Sequence, residues 1–170
     1  TTWTTLTNAV GTFQARRAYG STLPSSWSAT QSGSAGDIAA GRYAAWSVKP
    51  NQVTFPTDTA AHNQLRSLCR SVPLKTVITD SDVVIIDYHE PEDNIAAGTF
   101  TLPQWKATVQ KVGEIVHEIR AEQGPMSRLR NGICLMGPWT FDSRSAYDTW
   151  DWTFTPVKLA SVDVVCIDPY

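Results

Sequence analysis

Charge of one sign, cysteine and long apolar runs are all scarce in this 170-residue chain, and each shortage excludes a class of function. Fourteen Lys and Arg against sixteen Asp and Glu leave a formal charge of −2. No basic run occurs either, so neither nucleic acid nor an anionic membrane is an expected partner. No apolar stretch approaches the roughly 20 residues of a membrane span. The opening TTWTTLTNAV lacks the charged start and apolar middle of a signal peptide. It also lacks an initiator methionine, which reads as a processed or excised chain. Cys69, Cys134 and Cys166 lie far apart inside apolar patterns, which favours buried thiols over a disulfide framework or a zinc site. EF-hand spacing, the second histidine of a zinc HExxH helix and the glycine pattern of a nucleophile elbow are all missing. No cofactor is expected.

What is present is alternation. The length suits one domain over residues 1–170, and the ordinary apolar content suits a globular core. Strands are expected at Thr12–Tyr19, Arg42–Val48, Val83–Tyr88, Asn131–Met136 and Val162–Ile167. The third is apolar at nearly every position, as in a parallel sheet covered on both faces. Residues 20–41 read as a long Ser/Gly/Pro-rich loop. A helix is expected over Asp58–Arg70, capped by Thr57 or Asp58, with Ala61, Leu65, Leu68 and Cys69 on one face. A second is expected over Thr101–Gln123. There Thr101 and Gln104 have capping-box spacing, Trp105, Val109, Val112, Val116 and Ile119 form the buried stripe, and Gly124-Pro125 is the stop.

Alternating strands and helices predict an α/β fold with a parallel sheet, whose ligand sites lie beyond the carboxyl ends of the strands. The charged segment His89-Glu90-Pro91-Glu92-Asp93 then falls on that rim. Arg17, Tyr19, Lys49, Trp139, Asp168 and Tyr170 would join it from the other strand ends.

HEPE ending a buried strand, Gly137-Pro138-Trp139 after the next, and the run from Val162 to Tyr170 resemble the middle strands of (β/α)8-barrel glycoside hydrolases of the mannanase-like clan. The chain is also similar to glycosidase-like domains of actinobacteria and of the tail proteins of their bacteriophages. The resemblance spans Arg42 to Tyr170. It implies a partial TIM-type barrel with parallel strands and outer helices, and Glu90 as general acid/base. The implied partner is a polysaccharide or cell-wall glycan, with other subunits of a larger assembly as a further partner, in an extracellular or virion-associated setting. The family's nucleophile comes from a later strand than this chain reaches, and a full barrel takes about 200 residues or more. The family also places three strands before that glutamate; Leu74–Thr79 is the candidate for the one not otherwise found.

Each candidate has a plainer role beside the functional one. A general acid must hold its proton at working pH, which burial and neighbouring carboxylates favour. Glu90 has Asp87, Glu92 and Asp93 close in sequence; otherwise it is a solvated rim charge. Glu92, pointing away from His89 if the chain stays extended, reads better as a loop or helix-dipole charge than as a catalyst. His89 orients Glu90, contacts a sugar hydroxyl, or is simply held by a carbonyl. Trp139 and Tyr170 suit stacking on sugar rings, or closing the core. Trp150 and Trp152 read as a packed loop before a carbohydrate platform, Lys49 and Arg17 as charge partners before ligands of hydroxyls, and His62 and His117 as surface residues of helices. Six of the sixteen acids fall between Asp80 and Asp93, which raises a metal reading, the weaker one. A non-catalytic carbohydrate-binding or structural module, such as a phage tail domain, is the alternative function.

Overall fold

A computed structural model describes residues 15–20, 22–27, 38–136 and 161–168. Five strands form one sheet in the order of the chain: β1 (Ala15–Tyr19), β2 (Tyr43–Ser47), β3 (Val83–His89), β4 (Leu129–Met136) and β5 (Val164–Asp168). Every adjacent pair is parallel. Among the described residues the sheet is open, with β1 and β5 at its edges. The helices are α1 (Thr59–Ser71), the short α2 (Pro91–Ala96) and α3 (Leu102–Gln123).

The helices share one face. Leu65, Leu68 and Cys69 of α1 and Val112, Ile115, Val116 and Ile119 of α3 form one core with Ala44 and Trp46 of β2, Val83 and Ile85 of β3, and Leu129 of β4. Ile95 of α2 and Trp105 and Val109 of α3 continue that layer over Ile133 and Leu135. Strand alternation sends Ala45, Val84, Ile86 and Cys134 to the opposite face, with Val164 and Cys166 beside them. Small residues keep both contacts close. A Cβ on Gly113 of α3 would meet the Ser161 carbonyl at 2.3 Å, and one on Gly132 of β4 would meet Val84 Cγ1 at 2.5 Å.

Local chemistry sets the helix ends. Asp58 accepts the Ala61 N–H to cap α1. Thr101 and Gln104 form the full capping box of α3, and Gly124, at φ 68°, ends it. Two bidentate pairs, Arg66 with Glu118 and Arg70 with Glu122, tie α1 to α3. Exposed pairs of this kind contribute about 0–1 kcal/mol each, so the buried stripe holds the helices together. Within the expected loop after β1, Leu23 is buried and Trp27 stands edge-on to Trp46 at 5.1 Å.

Two expectations need correction. Leu74–Thr79 is not a strand: Asp80 accepts the backbone N–H and hydroxyl of Thr76, which bends the segment into a turn. β3 is therefore the third described strand. The chain also does not stay extended past Pro91, because the proline's fixed φ opens α2 there.

Candidate functional site

Six acidic residues clustered in sequence are divided in space. Asp80 and Asp82 precede β3, whereas Asp87, Glu90, Glu92 and Asp93 lie at its far end, roughly 20 Å away across a seven-residue strand. The first group is neutralised: Asp82 pairs with Lys75 at 2.7 Å and Arg130 at 3.1 Å, and Asp80 pairs with Arg128 at 3.0 Å. Asp163, before β5, pairs with Arg120 at 2.8 Å and lies 3.1 Å from His117. These charges rim a concavity of about 700 Å³ floored by Ala45, Val84, Val164 and Cys166. Its ionic groups already have protein partners. Among the described residues, no three His, Cys, Asp or Glu side chains converge as a metal site would require.

The carboxyl end of β3 is built differently. Ile86 pairs with Gly132 and His89 with Cys134, so three steps along β3 match two along β4. This bulge breaks the alternation and brings His89 into register on the face away from the helices, where regular pleating would send it toward them. Glu90 follows at φ 51° and ψ 63°. It is the one non-glycine residue with positive φ among the described residues. Its N–H donates to the Cys134 carbonyl at 3.0 Å, so the sheet fixes the strained residue. His89 Nε2 stands 3.0 Å from Glu90 Oε2, with the two side chains 21% and 13% exposed. Glu90 Oε1 is buried and has no hydrogen-bond donor among the described residues.

Two further carboxylates lie beneath. Asp87 is buried among the helices, and its desolvation pushes its pKa well above the ordinary value. The backbone N–H groups of Tyr88 and Asp87 and the indole of Trp105 oppose that shift from nearby, without completing hydrogen bonds. Burial, aided by the Asp87 charge, raises the Tyr88 phenol as well. Glu92 sits in the first turn of α2, where the helix dipole favours a carboxylate, yet it is fully buried. An exposed dipole charge is thus the wrong description, because α2 folds back onto the core through Pro91 and Ile95.

The other candidates fall into two groups. Lys49 follows β2 and holds its ammonium 5.2 Å from the centre of the Tyr88 ring. Trp139, Tyr170, Trp150 and Trp152 lie outside the described residues, as do the side chains of Arg17, Tyr19 and Asp168. His62 caps the Phe55 carbonyl at 2.6 Å, a structural role. Cys69 is buried, which pushes its thiol up to about 12; Cys134 is buried too, Cys166 partly so, and none of the three forms a disulfide. Sequence reasoning passed over Asp87, Tyr88, Gln52 and Phe100. Asp87 carried a signal, as an acid inside an apolar run.

Compared with protein-family models, curated proteins and solved structures, the chain matches none. The likeness to mannanase-like hydrolases therefore rests on the residues that carry it.

Proposed function

We propose that this chain is the N-terminal part of a glycoside-hydrolase-like (β/α)8 barrel acting on a polysaccharide or cell-wall glycan, with Glu90 as general acid/base. The observation that carries the reading is the strained, mostly buried Glu90 carboxyl held 3.0 Å from His89 at the bulged end of β3. Non-glycine residues in the left-handed region cost about 1–3 kcal/mol and cluster at functional sites.

Architecture supports it. A doubly wound sheet reverses its strand order and carries helices on both faces. Here the order is sequential and the described helices share one face. Same-handed crossovers between neighbouring strands give that arrangement in a barrel wall.

In this reading the Glu90 carboxyl protonates the departing glycosidic oxygen and then takes a proton from the incoming water. His89 holds the carboxyl in place, and its ring nitrogen, Lys49, Trp139 and Tyr170 are the proposed sugar contacts. Retention requires a second carboxylate about 5 Å from the first. Asp87 faces the helices and Glu92 is buried in α2, so the nucleophile is assigned to sequence beyond this chain. An extracellular or virion-associated setting goes with this substrate.

The test is turnover and binding of a glycan panel by the full-length protein and its Glu90→Gln variant. Loss of general acid catalysis lowers rates by about 10²–10⁴-fold, so that loss with binding retained is expected. Undiminished hydrolysis by the variant would refute the role. Binding without hydrolysis by either protein would favour the non-catalytic module.

A further inference from the structure

We propose that the cleft beside Glu90, between the β2–α1 connection and the end of α2, is a subsite for a sugar bearing a carboxylate, such as a uronic acid. The inference rests on the glycan reading above and gives it a substrate class. The cleft encloses about 330 Å³ and is lined by Lys49, Asn51, Gln52, Tyr88, Thr99 and Phe100, the lower end of the range for ligand pockets. Tyr88 is two residues from Glu90, so the cleft opens at the same end of the sheet.

Three observations select the ligand. Gln52 is 3% exposed. Its Nε2 donates to the Pro50 carbonyl at 3.1 Å, while its buried Oε1 has no donor among the described residues. A buried acceptor left unmade is costly, and a sugar hydroxyl is the donor that a cleft of this size admits. Lys49 makes no ion pair among the described residues; its ammonium rests against the Tyr88 ring. A carboxylate entering the cleft would meet that cation. Tyr88 and Phe100, edge to face at 5.2 Å, supply apolar wall for the C–H side of a pyranose.

The cleft is built in advance. Asn51 Oδ1 accepts the N–H groups of Val53 and Thr54 at 3.0 and 3.3 Å. Thr108 of α3 donates its hydroxyl to the Gln52 carbonyl at 3.2 Å, which pins the loop to the helix.

The experiment titrates the full-length protein with paired methyl glycosides of the gluco, galacto and manno series, each as the uronate and the neutral sugar, followed by NMR shifts at Lys49, Gln52 and Tyr88. At least one uronate should bind more tightly than its neutral twin. Lys49→Met should remove roughly tenfold of that affinity, the scale of one charge-assisted hydrogen bond, and Lys49→Arg should restore most of it. Equal binding within every pair, or no shift at these residues, overturns the subsite. Glu90-dependent hydrolysis of neutral glycans without uronate binding would reject the cleft and keep the acid/base role. Lys49-dependent uronate binding without Glu90-dependent turnover would do the reverse.

Discussion

Glu90 combines three costs: a left-handed backbone, a mostly buried carboxyl and an oxygen without a donor among the described residues. Its conformation alone costs an L-residue roughly 1–2 kcal/mol that glycine avoids. Glu90→Gly should therefore stabilise the fold by about 1 kcal/mol, a rise of about 2–4 °C in Tm at this chain length, while removing activity. Thermal unfolding checks it, and a fall in Tm would show that the His89 contact outweighs the strain. Asp87 predicts a pH effect of definite sign. Its folded pKa is raised, so between the unfolded value of about 3.9 and that higher value the unfolded chain gives up a proton that the folded protein keeps. Stability contributed by Asp87 is thus complete below about pH 4 and declines as pH rises. Urea unfolding of Asp87→Asn between pH 4 and 7 should show a stability advantage over the parent that grows with pH. The position of Glu90 at a strand end could be read from the apolar run before it. Its strain could not, because it depends on a bulge against a strand forty residues away.

At the level of elements, the most legible pieces were those whose signals are local. Thr101 and Gln104 closed the capping box as their spacing predicts, and all five residues of the expected α3 stripe are buried. Thr101→Ala should cost about 1 kcal/mol, seen as a Tm lower by about 2–4 °C, with glycan binding unchanged. The short α2 was missed, although Pro91 followed by two acids is a helix-start signature; the resemblance drew the reading of HEPE toward a strand end. Gly132 is also invisible to pattern reading. Its missing side chain lets β4 lie against Val84 and Ile86 of β3. Gly132→Ala should cost about 1–3 kcal/mol through overpacking, measured as a lower urea midpoint with an unchanged slope.

Across the whole molecule the sheet separates two kinds of charge. Before the strands, Asp80, Asp82 and Asp163 are each paired with a cation, the arrangement of a stabilising end. Beyond β3, Glu90 is strained and Lys49 lacks an ion-pair partner among the described residues. Parallel order and shared helix face followed from alternation and buried runs in the sequence, whereas closure into a barrel did not, because it depends on strands outside the described residues. The central claim is that Glu90 delivers a proton to a leaving group, and a leaving-group series tests it most directly. Turnover of aryl glycosides by full-length Glu90→Ala should fall by about 10²–10⁴-fold when the departing phenol is a poor leaving group, and progressively less as the phenol becomes more acidic and needs no proton. A loss that is uniform across the series, or no loss at all, would contradict the assignment.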